Sequence, residues 1–327
     1  MKPVLTICKP SYNRKDVLIP DIKEYLSIKD DRLQVKVSDN ASTDGTVEEL
    51  LNIKDPRLIL NLNKENVGPR PNCLSALKGT GSDYILLVID KDTVDVKLLP
   101  KFIDFLQNER PFFGFIDLSN KKQMYEKTYA KGYECISNLA YLSKHPSGYF
   151  WRSDLFEEEI EKTYFKNIKS DFDFPYEVIN GSLGASYDGV IVYWPFIINE
   201  TLRINELEMP KTKSYNADNF FFGKKMRLVA YNYYYSNMLS LPLQLEDKIK
   251  LARTITNTAI SGVTVGLRRL LQRKNVCYHY NLTKRNVGLY EMIRNTLDVL
   301  KIFKFLSSKS LPKSFVFKEE VLLFIKS

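Results

Sequence analysis

The stretch "SDYILLVIDKD", Ser82 to Asp92, decides how the fold is read. Six consecutive residues, Tyr84 to Ile89, are apolar or aromatic and mostly branched. A short apolar run without alternation is the pattern of a strand covered on both faces, as in a parallel sheet with helices above and below. It runs straight into Asp90, Lys91 and Asp92. On an extended backbone residues i and i+2 share a side, so both carboxylates are expected to face one way and the lysine the other. Two adjacent carboxylates repel each other unless a cation sits between them. Mn2+ or Mg2+ resolves that repulsion, held by one or two carboxylates and completed by water and phosphate oxygens. A strand that ends in a solvated polar loop has the same letters, so the motif alone leaves both readings open.

Upstream, the same texture repeats. Val4–Cys8 is expected to be a buried strand followed by the turn "KPSYNR", then a helix with Val17, Leu18, Ile22, Tyr25 and Leu26 on one face. Leu33–Val37 and Leu58–Leu60 are the next strands. Thr46 and Glu49 have the spacing of a capping box at a helix start, and a further helix is expected over about Asn72–Lys78. Strands separated by helices indicate an α/β fold built on a mostly parallel sheet, in which ligands bind beyond the carboxyl ends of the strands. Three of the four strand ends carry polar residues: "PSYN" (10–13), "SDN" (38–40) and "DKD" (90–92). Asp39 followed by Asn40 could hydrogen-bond a pyrimidine edge or a ribose hydroxyl. An Asx-type turn into a helix accounts for the pair equally well.

The texture changes near residue 206, where long runs acquire helical spacing with basic residues in the gaps. The expected division is 1–205 for the α/β domain and 206–327 for a mostly helical region. Residues 201–327 hold 22 Lys/Arg against 9 Asp/Glu, whereas the first 200 hold 26 against 30. The positive charge therefore belongs to the C-terminal region, where it could meet an anionic membrane surface or a phosphorylated ligand. Nucleic acid is disfavoured: no helix-turn-helix or aromatic single-strand platform is present, and the strand-end carboxylates would have no purpose. The four cysteines are scattered and only two histidines occur, which argues against a structural zinc site and a disulfide framework. No apolar run reaches membrane-spanning length and no signal peptide is recognised, so a cytoplasmic location is expected, with peripheral contact at the inner face of the membrane.

Taken together, "CKPSYNR", "VSDNASTDGT", "NKENVGPRPNCLSAL" and "YILLVIDKD" resemble, in order and spacing, the nucleotide-sugar-binding half of family 2 glycosyltransferases of the GT-A fold. The likeness covers roughly the first 100 residues and is nearest to the bacterial surface-polysaccharide branch. It implies an inverting transferase that moves a sugar from a nucleotide sugar, expected to be UDP-linked, to a glycan or lipid-linked acceptor. It implies that Pro10, Ser11 and Tyr12 line the base pocket and that Asp39, with Asn40 beside it, binds the uracil or ribose. Gly68 and Asn72 fall at the family's close-approach turn and helix start beside the nucleotide. Asp90 would lie near ribose and metal, and Asp92 would be the direct ligand of Mn2+ or Mg2+. The family's catalytic base is the Asp of a Glu-Asp pair. Here Ser170-Asp171 takes that place, so Asp171 is the expected base, with Asp173 and Glu177 as substitutes. Lys91 also departs from the family's acidic motif and, turned inward, could replace part of the metal's charge. Both departures leave room for a non-catalytic nucleotide-sugar-binding module in a glycan-assembly complex, and a homo-oligomer is left open.

Three other stretches carry no clear chemistry. His145, in "SKHPSG", precedes a proline turn and has no metal partner nearby in sequence, so a structural or solvent-facing role is expected. "YNYYYSNM" (231–238) reads as aromatic packing between helices. "KIFKFLSSKSLPKSFVFK" (301–318) mixes aromatics with lysines in the manner of interfacial segments, which helix packing also explains.

Overall fold

Each apolar run near the start of the chain becomes a strand, and the stretch after it becomes a helix laid on the sheet. The computed structural model describes residues 2–118, 123–162, 175–199, 223–274, 277, 282–308 and 311. Its first half runs β1 (Leu5–Ser11), α1 (Lys15–Ser27), β2 (Leu33–Asp39), α2 (Thr46–Asn52), β3 (Leu58–Leu62), α3 (Pro69–Leu77) and β4 (Tyr84–Leu87). There follow β5 (Asp92–Val94), α4 (Leu99–Glu109), β6 (Phe113–Ile116), β7 (Tyr125–Tyr129), α5 (Tyr133–Leu139), β8 (Tyr149–Arg152), α6 (Ser153–Glu161), α7 (Pro175–Gly184), β9 (Gly189–Tyr193) and β10 (Ile197–Asn199). Eight strands form one sheet in the order β3-β2-β1-β4-β8-β6-β9-β7, and β5 pairs with β10 in a second, two-stranded sheet. β3, β2, β1 and β4 are parallel, as expected. The segment 113–193 supplies the rest. In it β8 runs antiparallel to β4 and β6, and β7 antiparallel to β9.

β1 is longer than its apolar run, because Lys9, Pro10 and Ser11 stay in register with Val37, Ser38 and Asp39. Proline is tolerated there because the other neighbour has already left: β1 pairs with β4 only as far as Cys8 and Leu87. The start of α2 also differs from expectation. Thr46 is the first helical residue and is wholly buried, and the capping box does not form. Its amide and hydroxyl both donate to Asp44 Oδ1, so Asp44 holds the helix start.

Chain contacts divide the protein into two compact units. The first, Met1–Ala130, Lys144–Asp171 and Tyr187–Arg203, holds the sheet. Leu5 and Ile7 of β1, Val35 and Val37 of β2, and Leu86 and Val88 near β4 join Leu18 and Ile22 of α1 and Phe102 and Leu106 of α4 in one apolar core. Phe102 anchors it, with ring centroids 4.7 Å from Phe196 and 5.5 Å, edge-on, from Phe150.

The second unit is Lys131–Ser143, Phe172–Ser186 and Ile204–Ser327. It therefore takes two short segments that the sequence reading assigned to the first domain. Its described residues include α5, α7, α8 (Lys224–Ser240), α9 (Leu245–Ser261), a π-helical turn (Gly262–Gly266), α10 (Leu267–Leu271) and α11 (Leu289–Ser307). The tyrosine-rich stretch lies on α8, where Tyr231, Tyr234 and Tyr235 are buried and Tyr235 stacks on Phe303 at 4.3 Å. At the π turn the Val263 carbonyl accepts a hydrogen bond from Asn295 of α11.

Candidate active site

Parallel register brings three strand ends level. Ser11 of β1 pairs with Asp39 of β2, and Asp39 with Leu62 of β3. β1 lies between β2 and β4, so the residues after β1 sit between the Asp39 loop and the Asp90–Asp92 segment.

On the β2 side the polar groups are spent on one another. Asp39 is wholly buried, and its two oxygens accept the Ser42 amide at 2.8 Å and the Ser42 hydroxyl at 2.6 Å. Asn40 donates to Asn66 Oδ1 at 2.8 Å and accepts from the Val67 amide at 2.9 Å and Asn63 Nδ2 at 3.3 Å. Buried Asn72 donates to the carbonyls of Ser38 and Ser11 and accepts from Ser38 Oγ and Asn63 Nδ2. Two donations and two acceptances exhaust an amide, so Asn72 ties the ends of β1 and β2 together. Gly68 adopts φ +90°, which favours glycine, and its amide donates to Asn66 Oδ1 just before α3 begins. Pro10 and Ser11 are buried, Tyr12 is exposed, and the Ser11 hydroxyl is buried without a hydrogen-bond partner.

On the β4 side the backbone departs from the extended reading. β4 ends at Leu87, and the Asp92 amide bonds the Ile89 carbonyl at 3.0 Å. This closes a turn with Asp90 and Lys91 at its corner, so the two carboxylates separate instead of sharing a strand face. The cause is distant in sequence, because Asp92 must join β5 to pair with Asn199 of β10. Asp90 Oδ2 lies 3.7 Å from Arg14 Nε. Burial pushes the Asp90 carboxyl above its ordinary value, against the pull of Arg14, Lys9, Lys91 and a backbone hydrogen bond with Tyr12.

Asp92 is wholly buried. Its Oδ2 accepts the Ser147 hydroxyl at 2.5 Å and lies 2.5 Å from His145 Nε2, while Oδ1 has no hydrogen-bond partner. Ser147 Oγ also accepts the Ile89 amide at 3.0 Å, which fastens this segment to the acidic turn. From beneath, Lys9 Nζ donates to the Asp92 carbonyl at 2.7 Å and to Asp21 Oδ2 at 2.6 Å. Burial opposes the charge on Lys9, but Tyr25, Asp21 and Asp90 together outweigh it and the pKa is raised. Tyr25 completes the brace: its hydroxyl lies 2.7 Å from Thr93 Oγ1 and accepts the Val94 amide at 3.2 Å.

Sequence reasoning missed His145, Ser147, Lys9 and Asp21. Lys9 carried a signal, since a lysine inside the run "TICKPS" must find a buried counter-ion. His145 carried none, because what makes it notable is a partner 53 residues away. Glu177 is wholly buried in the second unit, where Oε2 accepts the Leu142 amide at 3.0 Å. Asp171 and Asp173 lie outside the described residues. Among the described residues no three His, Cys, Asp or Glu side chains converge as a metal cluster. A cavity of about 510 Å³ opens beside Phe112, Gly189 and Val190, at the amino ends of β6 and β9, the opposite end of those strands from the carboxylates.

Known proteins share the family and the fold. The family model described as glycosyl transferase family 2 matches residues 6–169, half of the chain. The abequosyltransferase RfbV of Salmonella typhimurium (strain LT2) is 24% identical over 294 residues, which cover 80% of this chain and 85% of RfbV. Among solved structures, S. aureus TarS matches with a TM-score of 0.59 at 15% identity, over 95% of this chain and 50% of that chain. This chain thus spans about half the length of TarS. The TarS fragment 1–349 in complex with UDP-GlcNAc also gives a TM-score of 0.59, at 14% identity, over 95% of this chain and 82% of the fragment. At such identities the likeness is one of fold, and that fold is GT-A with a helical C-terminal region.

Proposed function

The chain belongs to glycosyl transferase family 2, and from that premise we propose that it moves a sugar from a nucleotide sugar, UDP-linked, to a glycan or lipid-linked acceptor with inversion of configuration. The setting is the assembly of a bacterial surface polysaccharide. One observation carries the reading: Asp39 and Asp92 stand wholly buried beyond strands β2 and β4, flanking Pro10, Ser11 and Tyr12 at the end of β1. A relative that is an abequosyltransferase and a fold shared with a UDP-GlcNAc complex of TarS support it.

In this reading Pro10, Ser11 and Tyr12 hold the base, and Asp39 accepts from the uracil or ribose, its carboxylate fixed by Ser42. Asn40, Gly68 and Asn72 keep the wall of that pocket in place. The residues fit a divalent cation: Asp92 Oδ1 is a buried carboxylate oxygen without a partner, and Mn2+ or Mg2+ needs few protein ligands where phosphates supply the rest. Asp92 would hold the ion, with Asp90 beside it. When bound, the ion neutralises charge on the departing diphosphate. The acceptor hydroxyl oxygen bonds to the anomeric carbon as that carbon's bond to the diphosphate oxygen breaks. Asp171 takes the hydroxyl proton on the face opposite the leaving group.

Among the described residues no helix is long and apolar enough to cross a membrane. The basic C-terminal region and the exposed Leu289, Tyr290, Ile293, Leu297 and Phe305 of α11 support peripheral contact with an anionic membrane face. The test of the donor reading is calorimetric titration of UDP with Mn2+ and with EDTA, beside Asp92→Ala. Binding that needs both the ion and Asp92 is expected. UDP binding that ignores the ion and the substitution would remove the metal assignment, and failure with UDP, CDP and GDP alike would remove the donor site.

A further inference from the structure

We propose that His145 is a second protein ligand, through Nε2, for the divalent cation that Asp92 holds; this rests on the donor-site reading above. His145 Nε2 lies 2.5 Å from Asp92 Oδ2. Two neighbouring ligands on an octahedral cation, each about 2.1 Å from it, stand about 3 Å apart. Nitrogen and oxygen are thus already close to the spacing of two such donors, and a shift of about half an ångström opens room for an ion. Asp92 Oδ1 is buried and without a partner, so the carboxylate has an unused electron pair in a desolvated place.

The backbone around His145 is fixed independently of any ion. Pro146 follows it and restricts its φ and ψ. Gly148, at φ +105°, donates its amide to the Leu87 carbonyl at 2.9 Å and accepts the Ile116 amide at 2.8 Å. This clamps the segment to the ends of β4 and β6. Ser147 holds Asp92 Oδ2 from a second side and so orients the carboxylate, the arrangement that supports a metal ligand from its outer shell. The imidazole is partly exposed, at 28% of its side-chain surface, while Asp92 is fully covered. An ion therefore reaches Asp92 past the histidine. Nitrogen is a softer donor than oxygen, so a His–Asp pair weights the site toward Mn2+ over Mg2+.

The chain contains only two histidines, at positions 145 and 279, which makes an imidazole signal traceable. The experiment is electron spin echo envelope modulation on the full-length protein with Mn2+ and UDP, prepared with natural-abundance and with 15N-labelled histidine. His145→Gln and Asp92→Asn are measured alongside, and Mn2+ affinity is read by continuous-wave titration. Wild type is expected to show nitrogen coupling that changes with the label. His145→Gln should abolish the coupling, weaken Mn2+ binding at least about tenfold and narrow the preference for Mn2+ over Mg2+. Circular dichroism and an unchanged thermal unfolding midpoint confirm that the variant is folded. Asp92-dependent Mn2+ binding without histidine coupling, or coupling that survives His145→Gln, overturns the inference and leaves the donor site standing. UDP binding without any Mn2+ binding overturns this inference together with the metal assignment. Loss of both overturns the donor site itself.

Discussion

The two carboxylates at the neighbouring strand ends are treated in opposite ways. Asp39 has both oxygens occupied by Ser42, three residues away, and its neighbours Asn40 and Asn72 are likewise spent on protein partners. Asp92 is equally buried, but one oxygen is without a partner and the other is crowded by two side chains. The first arrangement is a finished wall, rigid before any ligand arrives. The second leaves a buried carboxylate oxygen without a hydrogen-bond partner above a buried lysine, an arrangement that costs stability unless a ligand meets it. Binding sites commonly pay in this way where charge must later be matched.

The contrast breaks most severely if the cation beneath the turn is removed. Lys9→Met removes the buried ammonium that Asp21 pairs with and should cost about 3–5 kcal/mol in urea unfolding, with Asp21→Asn added to it recovering more than half. Next is Gly148→Ala. The new Cβ would sit 2.8 Å from the Ile116 carbonyl oxygen at a φ of +105°, and thermal unfolding should report a loss of about 2 kcal/mol. Metal affinity should fall with it, since His145 and Ser147 shift. A smaller effect sharpens the comparison from the other side. Ser42→Ala removes one of the two bonds to Asp39 and should cost about 1 kcal/mol by denaturant titration, with UDP affinity in the presence of Mn2+ reduced while Mn2+ affinity is unchanged. Smallest on stability is Asp92→Asn. An uncharged isostere removes a desolvated charge, so the ion-free protein should unfold within about 1 kcal/mol of wild type or somewhat later, while Mn2+-dependent UDP binding disappears from the calorimetric trace.

What the sequence revealed follows the same division. β2 and β4 were legible because a buried parallel strand announces itself in consecutive residues, as Leu33–Asp39 and Tyr84–Leu87 do. Asp39 and Asn40 were legible as a polar cluster after a strand, and Ser42 lies within the same local window. The Asp90–Asp92 turn was misread as extended because its shape is set by pairing with β10, about a hundred residues later. The capping box at Thr46 failed for a nearer reason. Asp44 offered a stronger acceptor two residues upstream, and spacing rules do not weigh competing acceptors. The antiparallel course of β8 and the transfer of 131–143 and 172–186 to the helical unit leave no periodic signal at all.

The antiparallel strand β8 has a consequence in time. Asp39 and Ser42 are joined by a stretch short enough to close within the first moments of collapse, but Asp92 waits for Ser147, 55 residues downstream. β8 must leave the ribosome and dock against β4 before that segment has anything to rest on. A nascent chain therefore carries both partners of the Asp39–Ser42 pair while Asp92 still lacks Ser147. The late arrival of β8 leaves the Asp92 segment to be completed only once most of the sheet is in place.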